Sequence, residues 1–339
     1  MIDPASLLRI RQDDEYRRQA AAESEFWGQV RPGTLEDLDG TQAEGPIDRY
    51  VNRRFTGDDH VKWYETIARG GLFRRGAVLG TSSIALEADI LTRIPSLHLT
   101  FFDISEGALK RREEVLGRRF PGRVATSIGD LNFIELIPES YDVIVSSSTI
   151  HHVTNLEFLG WQVNRALVPG GYFFLEDYVG EPRFQFAPAK REIYRHVFNR
   201  DRARQGMPPS DLVWLDSNDL SPFCGVRSDE ILEVFRRYLD EINVRLAGAL
   251  TVPILRSRPQ QDAPDSPWVS NRWKRRASPW RWASAYLRKL LTGRFPSQQA
   301  LLTPEFQHEL ELLGDVLAET GILKPGVAFA TYRKRRTGV

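Results

Sequence analysis

The chain is poor in sulfur and has neither a long apolar run nor a marked net charge. Cys224 is its single cysteine, so no disulfide can form within the chain and a cysteine-based zinc site is not expected. No run reaches the roughly 18 apolar residues of a membrane-spanning helix. The opening residues are charged and lack the apolar stretch of a secretory signal. We therefore expect a cytoplasmic protein without a spanning helix and without a metal.

The charges are almost balanced, with 46 lysines and arginines against 45 aspartates and glutamates. This balance argues against nucleic acid as a partner. A hydrophobic content of 41% is enough for a full core. We divide the chain into an N-terminal helical segment (1–49), an α/β core (50–250), a helical, basic, tryptophan-rich insertion (251–325) and a final strand with a basic tail (326–339).

Apolar runs of strand length alternate with amphipathic stretches of helix length up to about residue 179, which is the α/β pattern. The pattern Thr154 to Glu157 indicates a capping box at a helix start, and the Pro-Gly-Gly turn at 169–171 ends that helix. A strand-helix-strand unit of this length requires a right-handed parallel crossover. The predicted strands are Ala77–Gly80, Leu97–Asp103, Arg123–Ile128, Tyr141–Ser146, Gly171–Asp177, Asn243–Leu250 and Val327–Arg333.

The stretch Tyr141–Tyr178, with its histidine pair and its Pro-Gly-Gly turn, resembles the second half of a class I S-adenosylmethionine-dependent methyltransferase. Leu97–Ser105 resembles that family's second strand, and Gly129-Asp130-Leu131 resembles its adenine-side loop. The resemblance runs from about Tyr50 to Arg183. It implies a Rossmann-like, doubly wound α/β sheet, mostly parallel with a C-terminal antiparallel strand, and S-adenosyl-L-methionine as the cofactor.

The resemblance also implies a set of cofactor-binding residues. Asp103 would accept the ribose hydroxyls, with a helix N-cap as the alternative role, and Asp130 would accept the adenine amino group, with a plain turn residue as the alternative. Asn52 and Arg53 resemble a lead-in segment beside the cofactor. The full set is Asn52, Arg53, Gly80, Thr81, Ser82, Asp103, Ile104, Gly129, Asp130, Leu131 and Ser146.

One element departs from the family pattern. The family's first strand leads into a G-x-G-x-G loop, whereas here only Gly80 is present, and Ser82 and Ile84 take the places of the second and third glycines. Those glycines adopt φ values that are costly for other residues, and a β-branched isoleucine fits poorly where φ must be positive. A second hypothesis is therefore a methyltransferase fold that has lost or repurposed its cofactor site and serves as a binding partner or catalyses other chemistry.

The candidate chemistry lies at the carboxyl ends of the fourth and fifth strands, where ligands bind in open α/β sheets. A hydroxyl acceptor needs a base, and His151 or His152 is our first choice, with Asp177 as a further catalytic candidate; the alternative is that both histidines are structural. The resemblance places the acceptor pocket beside Glu176, Tyr178 and Arg183, and we expect Arg227 to join them; the alternative for each is an ordinary surface salt bridge. The predicted function is O-methylation of a sugar, a glycan or a secondary metabolite.

The insertion contains a segment with no acidic residue, from Ser266 to Pro304. It holds eight basic residues and half of the eight tryptophans of the chain. Basic residues interleaved with aromatics suit an anionic membrane surface or a single-stranded nucleic acid. We expect peripheral contact with an anionic membrane through 266–294, and the alternative is a lid whose tryptophans pack on the core.

Overall fold

The computed structural model describes residues 10–29, 46–81, 83–214, 221–253, 257–259 and 303–335. Short 3₁₀ turns lie at Trp63–Arg69, Ile150–His152, Pro182–Phe184 and Ser228–Glu230. The helices and strands are α1 (Asp14–Gln29), α2 (Pro46–Thr56), β1 (Arg75–Leu79), α3 (Ile84–Arg93), β2 (His98–Asp103), α4 (Glu106–Arg119), β3 (Val124–Ile128), β4 (Tyr141–Ser147), α5 (Leu156–Ala166), β5 (Leu167–Tyr178), α6 (Pro188–Arg204), β6 (Leu212–Trp214), α7 (Ile231–Tyr238), β7 (Leu239–Ala247), β8 (Ser257–Pro259), α8 (Pro304–Glu319) and β9 (Val327–Lys334).

Seven strands form one sheet in the order β3-β2-β1-β4-β5-β9-β7. Neighbours from β3 to β5 are parallel, and β9 runs antiparallel to both β5 and β7. This confirms the predicted sheet, with all seven strands in place. The Pro-Gly-Gly turn lies inside β5, and Gly170 there has a φ of +80°.

The predicted capping box at Thr154 is wrong. The helix α5 begins at Leu156 with Asn155 as its N-cap, and no side chain caps it. The hydroxyl and amide of Thr154 both donate to Oδ1 of Asn132 instead, at 2.9 and 2.8 Å, together with the amide of Asn155 at 2.9 Å. A buried asparagine in the loop after β3 thus takes the hydrogen bonds that a local cap would have made.

Alternate residues of the strands pack on opposite faces of the sheet, as the period of two requires. Ile144 and Phe173 pack beneath α5 and α7, whereas Val145 and Phe174 pack in the layer of α3 and α4. The helix α8 packs against α6 and α2 and buries Phe306 there. The sheet is therefore wound on both sides, and the ends of its parallel strands converge at one edge.

Candidate functional site

The loops after β1, β2, β3 and β4 enclose a cavity of about 200 Å³ at the carboxyl ends of these strands. This is where open α/β sheets bind ligands. A wider groove of about 700 Å³ lies between α6 and α8, and it has no lining residue in common with this cavity. The cavity is lined by Glu23, Trp27, Gly80, Thr81, Asp103, Ile104, Asp130, Leu131, Asn132, Ser148, Thr149, His152, Val153 and Phe223.

Gly80 is the point in this cavity where only glycine fits. Its φ is +79°, and a Cβ built there would lie 2.1 Å from a side-chain carbon of Thr149. Ile84, by contrast, is the first residue of α3, lies in the core at 3% exposure and is not among the positive-φ residues of the described chain. Ser83 is the N-cap of this helix. The expected conflict at Ile84 therefore does not arise, while Ser82 lies outside the described residues.

Asp103 ends β2 and points its carboxylate at the loop after β1. It accepts hydrogen bonds from the amide and hydroxyl of Thr81, at 2.8 and 2.7 Å, and from the amide of Ser105, at 2.7 Å. Burial raises the pKa of Asp103, although these hydrogen bonds oppose that shift. The N-cap of α4 is Ser105, not Asp103. Because a carboxylate has about four acceptor positions, one is left for a ligand hydroxyl.

Asp130 also lines the cavity and is contacted by the N-terminal helix α1. Its Oδ2 accepts from the hydroxyl of Tyr16 at 2.6 Å, and its Oδ1 accepts from the amide and side chain of Asn132 at 2.9 and 3.0 Å. The Tyr16 ring stacks on Phe223 with centroids 5.5 Å apart. Leu131 completes an apolar wall beside these polar groups. The cavity thus offers an acid and an apolar surface together, which suits a purine ring.

Asp177 holds the turn that carries the histidine pair. It is fully buried; its Oδ2 accepts from the amides of Thr149 and Ile150 at 3.1 and 2.6 Å, and its Oδ1 accepts from Nδ1 of His151 at 2.5 Å. His152 lines the cavity, whereas His151 lies behind it. Asp177 therefore acts as a scaffold and orienting group for the turn.

His152 is held by Glu23, a residue that the sequence did not single out. Its Nδ1 lies 2.8 Å from the Glu23 carboxylate, which also accepts from the Trp27 indole at 2.7 Å and from the amide of Phe223 at 3.2 Å. Burial and the neighbouring His151 oppose the charged form, but hydrogen bonds to Cys224 and Glu23 outweigh them and raise the pKa of His152. The spacing of Tyr16, Glu23 and Trp27 along one helix face was the available signal.

Glu176 sits beside Asp177 at the end of β5. Its Oε2 accepts from the hydroxyls of Ser147 and Ser148 at 2.8 and 3.3 Å. Burial, and then the charge of Asp177, raises the pKa of Glu176 from an ordinary 4.5 to about 7. Ser148, which lines the cavity, has a φ of +48°, an uncommon conformation for a residue other than glycine.

Glu176→Gln is expected to stabilise the protein at pH 8 and to change little near pH 4.5. In the unfolded chain the Glu176 carboxyl has a pKa of 4.5, whereas in the folded chain its pKa is about 7. The folded state is therefore destabilised relative to the unfolded state as the pH rises between these values, by about 3 kcal/mol above them. Urea unfolding at both pH values measures the difference, with the exposed Glu114→Gln on α4 as control. An equal effect at both pH values would contradict it.

Four predicted cofactor residues do not line the cavity in the described part of the chain. Asn52 donates from its side chain to the carbonyl of Asp59, and Arg53 pairs with Asp59 and Glu311. The hydroxyl of Ser146 donates to the carbonyl of Leu79 at 2.9 Å within the sheet. The amide of Gly129 donates to the carbonyl of Asp103. The structure places all four in supporting contacts.

The predicted acceptor residues are likewise engaged in packing. Arg227 pairs with Glu157 and Glu230, which raise its pKa. Arg183 donates to the carbonyl of Pro222 at 2.6 Å.

The Tyr178 ring is also packed into the protein. It stacks on Phe184 with centroids 4.2 Å apart, and its hydroxyl donates to the carbonyl of Glu181 at 2.9 Å. None of these three lines the cavity among the described residues. They hold the loops that surround the histidine turn.

Residues 76–173, from β1 into β5, match a family model described as a methyltransferase domain. No curated protein matches the chain. Among solved structures, a candidate sarcosine dimethylglycine methyltransferase from Galdieria sulphuraria has 13% identity and a TM-score of 0.46, over 94% of this chain and 98% of that one. Geranyl diphosphate C-methyltransferase from Streptomyces coelicolor A3(2) has 12% identity and a TM-score of 0.45, over 94% and 98%.

Haemonchus contortus phosphoethanolamine N-methyltransferase 2 has 14% identity and a TM-score of 0.43, over 99% of this chain and 61% of that one. Two of these three names state the methylated atom, which is nitrogen in one and carbon in the other. The family match falls on the segment that holds Gly80, Asp103, Asp130 and the histidine pair. Over residues 76–173 the chain is thus similar to a methyltransferase domain.

Proposed function

We propose that the protein is an O-methyltransferase that acts on a hydroxyl of a sugar, a glycan or a secondary metabolite. The observation that carries this proposal is His152, which lines the cavity and is held by a buried carboxylate at 2.8 Å. An oxygen acceptor needs a base near neutral pH, whereas many nitrogen acceptors need none. A histidine positioned by a buried carboxylate meets that need.

The residues of the cavity fit the cofactor. Asp103 keeps an acceptor position for the ribose, and Asp130 with Leu131 and Ile104 would hold the adenine. Gly80 lets the backbone approach where a Cβ would collide with Thr149. When bound, S-adenosylmethionine supplies an activated methyl group. The chain's own task is then to align the acceptor hydroxyl, to exclude water and to remove one proton.

His152 is the residue we assign to that proton. If Nδ1 donates its hydrogen to Glu23, the lone pair of the imidazole is on Nε2. The acceptor hydroxyl would give its proton to that nitrogen, and the resulting imidazolium is stabilised by the Glu23 carboxylate. Asp177 and His151 keep the turn in place. This arrangement assigns distinct roles to the two histidines that the sequence could not separate.

S-adenosylhomocysteine is expected to raise the melting temperature, because a ligand that binds only the folded state stabilises it, by roughly 2.7 kcal/mol at a hundredfold excess over Kd. Asp103→Ala should abolish this shift, measured from the variant's own ligand-free midpoint. Asp89→Ala, on the surface of α3, is the matched control and should keep it. The absence of a shift in the unmodified protein at millimolar ligand would overturn the proposed function.

The basic segment 266–294 lies outside the described residues, so its contact with an anionic membrane stays a prediction from composition. Among the described helices, none has the length and apolar character needed to cross a bilayer. A glycan or lipid-linked acceptor would agree with a membrane contact, and a free small molecule would not require one. The acceptor class therefore rests on the cavity and on His152 alone.

A further inference from the structure

Three metal-ligating side chains meet behind the cavity. The ligand atoms of His151, His152 and Cys224 all lie within 4.8 Å of one another. His151 is 8% exposed and Cys224 is 3% exposed. The turn that carries Cys224 is tied to the histidine turn, because the amide of Val226 donates to the carbonyl of His151 at 3.2 Å. The two turns therefore hold these donors together as one unit.

Each of the two imidazoles is oriented by its own buried carboxylate. Asp177 contacts Nδ1 of His151 at 2.5 Å, and Glu23 contacts Nδ1 of His152 at 2.8 Å. Both carboxylates are nearly inaccessible, at 0% and 3% exposure. A carboxylate on one ring nitrogen fixes the tautomer and makes the other nitrogen a better metal ligand, which is the usual support for a metal-binding histidine.

We propose that His151, His152 and Cys224 form a binding site for a divalent transition metal of the Zn²⁺ class. Two imidazoles and one thiolate are borderline-soft donors of the kind that zinc prefers, and three protein ligands leave a fourth position open. Bond lengths of about 2.0–2.3 Å place tetrahedral donors roughly 3.3–3.7 Å apart, so the side chains need to close by about 1 Å. The carboxylates of Asp177 and Glu23 balance the added charge.

The metal site is independent of which acceptor the protein methylates. Because His152 also lines the cavity, a metal bound there borders the place where the acceptor hydroxyl would sit. A metal lowers the pKa of an oxygen that it binds, and it would replace the free imidazole in that role. His152 can therefore act as a base only in the metal-free protein.

Cobalt substitution tests the site directly. Metal-free protein titrated with Co²⁺ should bind one equivalent and develop a thiolate-to-cobalt charge-transfer absorption, with the intense visible bands of tetrahedral cobalt. Cys224 is the only cysteine of the chain, so such a thiolate band can arise only from it. Zn²⁺ should displace the cobalt and raise the melting temperature. This readout needs no substrate and no variant.

Matched variants separate this site from adventitious binding. Cys224→Ser should remove the charge-transfer band and weaken zinc at least tenfold, and Glu23→Gln should weaken it roughly 10–100-fold with all ligands intact. His196→Ala, an exposed histidine on α6, should change neither. Absence of the band in the unmodified protein, or unchanged zinc affinity in Cys224→Ser, would overturn the proposal. The S-adenosylhomocysteine shift, measured without metal, tests the methyltransferase function separately.

Discussion

Arg112→Met is expected to lower the free energy of unfolding by about 3–5 kcal/mol, because it removes the guanidinium whose charge balances the buried Glu87 carboxylate. Arg112 on α4 makes two hydrogen bonds to Glu87 on α3, at 3.0 and 3.2 Å. Both side chains are 1% exposed. The pair joins the two helices that cover one face of the sheet beside β1 and β2, so its loss also loosens the frame around Gly80 and Asp103.

A double replacement tests whether the buried negative charge of Glu87 is the cause. Glu87→Gln combined with Arg112→Met should recover a large part of the loss, because no charge is then buried. The exposed pair Arg237 and Glu233 on α7 is the control, with side chains 57% and 70% exposed, and Arg237→Met should cost less than about 1 kcal/mol. Urea unfolding at pH 7 measures all three. A double variant no more stable than Arg112→Met alone would contradict this account.

The seven strands could be predicted because each carries its own signal along the chain. Apolar β-branched runs such as Tyr141–Val145 indicate a buried strand locally. The crossover rule adds the right-handed connection between successive parallel strands. The positions of Asp103, Asp130 and the histidine pair at strand ends followed from the same reasoning. What the sequence supports is therefore the frame and those site residues that directly follow a strand.

Glu23 and Tyr16 were not predicted as site residues, because their partners are distant in sequence. Tyr16 contacts Asp130, and Glu23 contacts His152 and Phe223, across more than a hundred residues each. No local period records such a pairing; only the shared face of α1 hinted that these residues act together. The helix had been predicted, but its docking against the cavity had not.

The predicted role of Arg227 in binding the acceptor is a different case. Arg227 was expected to join the acceptor pocket, yet Glu157 and Glu230 pair with it in the folded protein. The Glu157 that suggested a capping box is thus the partner of Arg227. A charged residue near a strand end can serve a ligand or a neighbouring loop, and sequence does not distinguish the two.

His152→Ala is expected to lower methyl-transfer turnover by about 10²–10⁴ in metal-free protein, the usual contribution of a positioned base. The affinity for S-adenosylhomocysteine should stay nearly unchanged, because the cofactor residues Asp103 and Asp130 lie on other loops. Labelled S-adenosylmethionine and a hydroxyl acceptor found by screening provide the assay. Unaltered turnover in this variant would show that His152 is not the base.

Glu23→Gln distinguishes a base held by a carboxylate from a histidine that merely packs. Glu23 raises the pKa of His152, so its replacement should lower that pKa and move the acidic limb of the kcat/KM profile to lower pH. Turnover at the optimum should also fall, since the tautomer with Nδ1 protonated is no longer favoured. A purely structural contact would change the melting temperature and leave the limb in place. The direction in which the acidic limb of the pH profile shifts, rather than the size of the loss in turnover, therefore tests whether His152 accepts the proton of the acceptor hydroxyl.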